Sequence, residues 1–463
     1  MSAGKRKINP NLLFVFSDQH RWCDLGCYGN AAVRTPRLDE FARKALRFEH
    51  CISNSPLCVP ARGSMLTGLL PMRHRAAAND LAIDTGAESI AHVFAQAGYR
   101  TGYIGKWHLA GVPRIRPVPR GKERLGFEEW KISPVGTAHS RSMYFDEDDR
   151  RHPIEGYEPV KQTDLAIEFI ERNRYRPWAL CLSWGPPHDP YDDVPDAYKE
   201  LYADVEIPLR PNVPERIDAG RGVVLSREQI AGHLRGYYAH ITALDEQFGR
   251  LLDALEESGQ RQNTIIVYTS DHGDMLGSQG FMNKQLPYEE SVKVPLLVHW
   301  DGVTYAGTTE ELISLVDLPV SLAGLAGLRF RSPRDGADLS RLFTDPKAEG
   351  ASACYIMDLI PCHQAAWRGG REWQGVRTRE YTFARSAGRE GWLLFHNTID
   401  PYQQRNLVGD PRYASVLAEL QELLRKFSRG HAPLVPWERL VRESGLLGEW
   451  NRSQQYFGLP TLE

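Results

Sequence analysis

Leu57-Cys58-Val59-Pro60-Ala61-Arg62-Gly63-Ser64-Met65-Leu66-Thr67-Gly68 is the stretch around which the chain can be read. It sets a cysteine in a proline-containing turn, between Pro56 and Pro60, directly before a segment able to form a helix. Pro60 suits a first helical turn. Cys58 therefore falls near a helix N-terminus, where backbone N–H groups and the dipole favour an anion. Arg62 adds a guanidinium about one turn further on, suited to bidentate contact with a tetrahedral oxyanion. A lone cysteine before a helix is more often a buried structural thiol, so only the longer pattern argues for chemistry.

At 463 residues the chain can hold a large domain and a smaller one. Charged residues make up 25% and the net charge is -3, with no long basic run, so nucleic acid is not an expected partner. The apolar run 12–16, preceded by Lys5, Arg6 and Lys7, is too short for a signal segment or a membrane span. No membrane association and a cytoplasmic location are the expectation. Seven scattered cysteines form no dense disulfide framework, and Cys23 and Cys27 lack a second pair at zinc-finger spacing.

Outward from Cys58, apolar runs that read as strands are each followed at once by residues fit for chemistry. Residues 11–16 lead to Asp18 and Gln19; Tyr99 onward reads as a strand closing on Gly105-Lys106-Trp107-His108. Residues 178–183 lead to Pro186-Pro187-His188-Asp189-Pro190, and 264–269 to Ser270-Asp271-His272-Gly273. In open α/β sheets ligands collect beyond the carboxyl ends of strands. Asp18, Gln19, Asp271 and His272 are thus candidate metal ligands. Each residue alone would pass for a turn or cap residue. His188, held among prolines, has little ordering entropy to lose and favours a functional reading.

Helices are expected over 36–45, 87–97, 163–174 and Arg227–Glu257, and one beginning at Leu315; further strands are expected over 48–53 and 294–300. Residues 110–159 read as a long Gly-, Pro- and charge-rich loop able to shape a pocket. His139 in that loop and the pair Asn79-Asp80 are candidate substrate contacts; a solvent-facing polar residue of a loop would read the same as His139. From about Ser340 the texture changes to short strands over 373–378, 381–385 and 391–396, then a helix over 414–427. Residues 432–463 read as a polar tail able to wrap the body or a neighbouring subunit of a homo-oligomer.

Cys-x-Pro-x-Arg followed by Leu-Thr-Gly is similar to the signature of the type I sulfatases of the alkaline-phosphatase superfamily. Asp24 to Asn30 and Thr35 to Asp39 resemble that family's N-terminal block. Gly-Lys-x-His at Lys106 and His108, Pro-His-x-Pro at His188, Asp271-His272 and Asn283-Lys284-Gln285 follow in family order. The resemblance covers nearly the whole chain. It implies an α/β alkaline-phosphatase-like mixed sheet sandwiched by helices, over 1–340, with a smaller C-terminal α+β subdomain over 341–431 and the tail beyond. The family usually has Asp where this chain has Gln19 and more often Asn where it has His272; the Asp-Gln with Asp-His pairing resembles choline sulfatases and phosphonate monoester hydrolases.

In such a sulfatase a formylglycine-generating or anaerobic maturase oxidises the cysteine matching Cys58 to formylglycine. A sulfated thiol would have no easy exit, whereas a sulfated hydrate collapses by expelling sulfate and restoring the aldehyde. The resemblance implies one divalent cation among Asp18, Gln19, Asp271, His272 and the modified Cys58, with Ca²⁺ favoured by oxygen donors and Mn²⁺ allowed by the His272 nitrogen. Arg62 favours the ionised hydrate, Asp271 can assist as base, and Lys106, His188 and Lys284 neutralise sulfate oxygens and help the alcohol leave. His108 deprotonates the remaining hydroxyl. The expected substrate is a small-molecule sulfate ester of a sugar, an aryl alcohol or a choline-type alcohol. The alternatives are a phosphonate monoester or phosphodiester hydrolase and a non-catalytic anion-binding relative whose Cys58 is never oxidised.

Overall fold

Leu12, Phe14 and Phe16 point into one hydrophobic cluster and Leu13 and Val15 into another, so the first strand is buried on both faces. A near-continuous apolar run is what such a position requires. The structure, a computed structural model, describes residues 9–136, 138–431 and 433–463. Lys5, Arg6 and Lys7 of the N-terminal stretch, and Ala432 at the start of the expected tail, lie outside the described residues.

The strands in chain order are β1 Asn11–Asp18, β2 Leu46–Ile52, β3 Arg100–Lys106, β4 Glu129–Ser133, β5 Arg141–Phe145, β6 Arg151–Glu155 and β7 Trp178–Pro187. There follow β8 Ile217–Gly220, β9 Val223–Leu225, β10 Thr264–Ser270, β11 Lys293–Val294, β12 Leu296–His299 and β13 Gly307–Ser314. Last come β14 Cys354–Asp358, β15 Trp373–Arg377, β16 Tyr381–Ser386 and β17 Arg389–His396. An 11-stranded mixed sheet runs β11-β2-β12-β10-β1-β7-β3-β4-β5-β6, with β13 added to β2. Its centre, β10-β1-β7-β3-β4, is parallel, and both flanks turn antiparallel. All four strands that carry candidate site residues at their ends (β1, β3, β7 and β10) therefore deliver them to one edge.

The helix Arg227–Glu257 covers the face of the sheet bearing Leu13 and Val15. Ser226 starts it with a capping box: its side chain accepts from the Gln229 N–H while Gln229 reaches back to Ser226. On the opposite face the helix Cys58–Thr67 is buried at all ten positions. A four-stranded antiparallel sheet, β14-β15-β16-β17, packs with the helix Ala414–Ser428 against Leu57, Ala77 and Leu81. Among the described residues no helix is long and apolar enough to cross a membrane.

Three expectations are corrected. Residues 110–159 are not one long loop: β4 extends the sheet parallel to β3, and β5 and β6 follow antiparallel. Five-residue strands broken by charges, with Pro153 in an edge strand, hide their period. β13 and β14 add to the expected strands; β13 is half exposed, and its pairing with β2 spans a long sequence separation that no local pattern announces. Beyond residue 432 the chain is no polar tail but forms the helices Trp437–Glu443 and Leu447–Tyr456, which bury Leu440, Val441, Leu446 and Trp450 in the C-terminal core.

Candidate active site

Asp18 ends β1, and a register shift between Phe16 and Asp18 re-aims the strand end. Gln19 follows with left-handed backbone, as do His108 after β3 and Asp80 after the Cys58 helix. Such conformations cost about 1–3 kcal/mol each and persist where surrounding structure imposes them. Gly105, at φ +98° with a Cβ position 2.0 Å from the Ser183 carbonyl oxygen, allows β3 to approach β7 there. The Lys106 carbonyl can then accept from both Arg62 Nη1 (2.9 Å) and Ser183 Oγ (2.9 Å).

These elements converge on Cys58. Its Sγ lies 3.3 Å from His272 Nε2 and 3.6 Å from Asp18 Oδ1, while His272 Nε2 is 3.7 Å from both Asp18 Oδ1 and Asp271 Oδ1. The His272 ring is oriented by Nδ1 against the Gly273 carbonyl at 2.9 Å, which leaves Nε2 facing the carboxylates. Arg62, fully buried, bridges them: Nη2 donates to Asp18 at 2.8 Å and Nε to Asp271 at 3.0 Å. Lys106 Nζ reaches Asp18 at 2.6 Å. Lys284 Nζ donates to the Gln19 amide oxygen, and the Gln19 amide nitrogen donates to Asp274 at 2.6 Å.

Two carboxylates and a thiol buried together need positive charge. Burial and the Cys58 charge push the Asp18 pKa up, but Lys106, His188 and Arg62 outweigh them and hold it well below the usual carboxylate range. Burial and the charge of Asp18 raise the pKa of Asp271 instead. Burial alone would raise the Cys58 thiol; Lys284, Lys106 and His272 reverse this and lower it. The donor atoms of Asp18, Cys58, Asp271 and His272 all lie within 4.8 Å of one another. That spacing fits one divalent ion at roughly 2.0–2.6 Å from each donor, the range for carboxylate and imidazole ligands.

Above this group opens a cavity of about 400 Å³ lined by Cys58, Lys106, His108, His188 and Lys284. Asn79 and His139 also line it. Asn79 accepts from the Val59 N–H at 3.1 Å; His139 bridges Glu158 (2.9 Å) and the His188 carbonyl (2.9 Å), holding the His188 segment in place. Asp80 lies behind the wall, gripping Arg114 at 2.6 and 2.8 Å and His363 at 3.0 Å. Neither His108 ring nitrogen makes a hydrogen bond among the described residues, and Nε2 is 3.9 Å from Asp80 Oδ1. A buried imidazole that makes no hydrogen bond among the described residues is suited to a group arriving with a ligand.

Sequence reading missed Arg114, His363 and Trp367 in the cavity wall, and Asp274 behind Gln19. Asp274 stands in the same run as Asp271. Arg114 and His363 lie in irregular segments and Trp367 ends the four-residue helix Gln364–Trp367, with no local pattern to announce them; Trp367 is held by Arg221 stacked at 3.8 Å.

The family model described as Sulfatase matches residues 10–328, and the model for the N-sulphoglucosamine sulphohydrolase C-terminal region matches residues 277–430. The chain belongs to the sulfatase family. Its activity is that of a sulfuric ester hydrolase. This sulfatase is 34% identical over 424 residues to the ulvan-active sulfatase of Formosa agariphila, covering 90% of this chain and 80% of that one. It is 26% identical over 508 residues to the N-acetylglucosamine-6-O-sulfatase of Bacteroides thetaiotaomicron, covering 93% and 88%. The solved structure of the putative sulfatase yidJ from Bacteroides fragilis superposes with a TM-score of 0.82 at 27% identity, covering 93% of this chain and 97% of that one. The fold is alkaline-phosphatase-like, with the small antiparallel sheet and its helix at the C-terminal end.

Proposed function

We propose that this sulfatase hydrolyses a sulfate monoester of a sugar through Cys58 oxidised to formylglycine. The observation that carries the reading is the convergence on Cys58 of two carboxylates, an imidazole and the cations Arg62, Lys106 and Lys284. A sugar is favoured over an aryl or choline-type alcohol because the relative at 34% identity is named for ulvan, whereas the arylsulfatase and choline-sulfatase relatives stand at 26% and 27%.

Asp18, Asp271, His272 and the modified Cys58, with Gln19 beside them, would hold one divalent cation, Ca²⁺ by its oxygen donors or Mn²⁺ by its imidazole nitrogen. That ion supplies Lewis-acid stabilisation of an anionic nucleophile. Formylglycine at position 58 would, as its hydrate, supply the attacking hydroxyl and a second hydroxyl through which sulfate can leave. Lys106 and Lys284 line the cavity as fixed positive charges for sulfate oxygens, already in place before charge develops. His188, also on the cavity wall, donates the proton to the leaving alcohol oxygen. His108, whose ring nitrogens make no hydrogen bond among the described residues, takes the proton of the second hydroxyl.

Co-expression with a maturase followed by mass spectrometry of the Cys58 peptide, and steady-state kinetics on p-nitrophenyl sulfate and an aryl phosphonate monoester, test the proposal together. An aldehyde at position 58 with turnover of the sulfate is expected. A peptide carrying only free thiol would make this an anion-binding relative. A kcat/KM favouring phosphorus by more than about a hundredfold, roughly 2.7 kcal/mol, would move the activity to phosphonate hydrolysis.

A further inference from the structure

Asp274 is fully buried behind Gln19, and both of its carboxylate oxygens are engaged. Oδ1 accepts from the Leu276 N–H at 3.0 Å. Oδ2 accepts from the Gln19 amide nitrogen and from the Tyr191 hydroxyl, each at 2.6 Å. Because the Tyr191 proton is spent on Asp274, the Tyr191 oxygen meets the Gln19 amide, 3.4 Å away, as an acceptor. The side of Gln19 facing Asp274 thus offers acceptors alone.

The other side offers a donor. Buried Lys284 donates through Nζ to the Gln19 amide oxygen, and an ammonium has no lone pair with which to accept. The main chain of Gln19 is pinned as well: its N–H donates to Asp271 Oδ1 at 3.1 Å and its carbonyl accepts from the Tyr237 hydroxyl at 2.6 Å. The amide is therefore held with nitrogen to Asp274 and oxygen to Lys284, and Lys284 in turn lines the cavity at Cys58. Only a carboxylate at position 274 satisfies this arrangement. An asparagine there would have to aim its NH₂ either at the Leu276 N–H, donor against donor, or at Gln19. In the second case the Gln19 amide turns over and brings its own NH₂ against the Lys284 ammonium.

We infer that Asp274 is a positioning residue: through the orientation of the Gln19 amide it holds the Lys284 ammonium where the sulfate group enters. The inference rests on the reading of the cavity as a sulfate ester site. In a buried network an unmatched polar group costs more than it would in water, so one reversed amide is felt at the cavity.

The test compares wild type, Asp274→Asn, Gln19→Glu and the double variant by calorimetric titration with inorganic sulfate, by kcat/KM on p-nitrophenyl sulfate and by Tm. Asp274→Asn should weaken sulfate binding about tenfold, the loss of one charge-assisted contact, and lower kcat/KM at least as far. In the Gln19→Glu background the same substitution should leave sulfate binding unchanged, because a carboxylate at position 19 offers one oxygen to the asparagine NH₂ and the other to Lys284. Should Asp274→Asn alone not fold, the double variant must regain both the fold and sulfate binding within about threefold of wild type. An Asp274 that only supports the fold would lower Tm in both backgrounds and leave the sulfate dissociation constant alone. That result overturns the inference, as does sulfate binding weakened equally in both backgrounds or absent from the wild type. Wild-type turnover of p-nitrophenyl sulfate alongside any of these results leaves the sulfatase reading standing. Sulfate binding that depends on the pair as expected, in a matured enzyme inert toward every sulfate ester, would keep the role of Asp274 and overturn the sulfatase reading.

Discussion

Arg62 holds the two carboxylates of the site apart from water and from each other's charge. Its guanidinium is fully buried, with Asp18 and Asp271 on separate nitrogens and the Lys106 carbonyl and Ser183 hydroxyl on the third. Removing one member of a buried ionic network leaves the others uncompensated, at a cost of about 3–5 kcal/mol. Arg62→Ala should therefore lose about that much unfolding free energy in urea titration as well as all turnover; a loss below about 1 kcal/mol would show that water reaches Asp18 and Asp271. Arg62→Lys keeps the charge but not the planar fork, and should recover stability more than activity. A divalent ion held by the four donors would act on the same pair. If it binds the folded chain alone, an ion at a hundred times its dissociation constant adds about 2.7 kcal/mol. Dialysis against EDTA should accordingly lower Tm reversibly, with Ca²⁺ or Mn²⁺ restoring it, and a Tm indifferent to chelation would mean that the four donors hold no ion.

The helix Cys58–Thr67 begins without a side-chain cap of its own, because Leu57 occupies the N-cap position. Asn79, some twenty residues on, supplies the missing acceptor to the Val59 N–H. Asn79→Ala should therefore behave as a loss of cap, about 1 kcal/mol of stability, and loosen the first turn that carries Cys58. Measured by thermal unfolding alongside KM and kcat, the variant should lose stability and kcat together; a change in KM alone would restrict Asn79 to substrate contact. At this scale the sequence is legible where a single local rule decides. The parallel strands β1, β3, β7 and β10 announce themselves by buried apolar runs, their ends by Asp, Lys and His, and the helix Arg227–Glu257 by its apolar stripe. The rest is set by packing between distant segments. β4 to β6 exist because β3 offers an edge, β13 because β2 does, and Arg114, His363 and Trp367 meet the cavity only through the fold. Asp80 shows the same limit: in the sequence it reads as a substrate contact, yet its carboxylate is committed to Arg114 and His363.

The molecule is tied together across its whole length by that cavity wall. Arg114, gripped by Asp80, lies 4.7 Å from the ring of Phe457, just beyond the helix Leu447–Tyr456, so the C-terminal helices brace a residue of the catalytic pocket. A fold this buried also encloses ionisable groups away from the site, and these set its response to pH. Burial raises Asp245 to about 7 against the pull of two backbone N–H groups, and raises Asp358 to about 8, with Arg368 opposing and one carboxyl oxygen making no hydrogen bond among the described residues. For a carboxyl raised on folding, the folded state holds its proton longer, so stability is fully present below the unfolded pKa of 3.8 and is lost as pH climbs through the folded value. Burial lowers His74 to about 4, which works the other way: its contribution is complete above 6.5 and lost as pH falls toward 4. The two effects oppose each other between pH 4 and 6.5; above 6.5 His74 no longer contributes, while the two carboxyls still titrate. Unfolding free energy should therefore decline from about pH 6.5 to 8 by at most about 1.4 kcal/mol per pH unit for each group. Asp358→Asn, which keeps the shape of the neutral acid, should flatten that decline in urea titrations across the range. A wild-type profile that rises from pH 6.5 to 8, or an Asp358→Asn profile that parallels it, would mean that water or a shifted Arg368 already reaches the carboxylate.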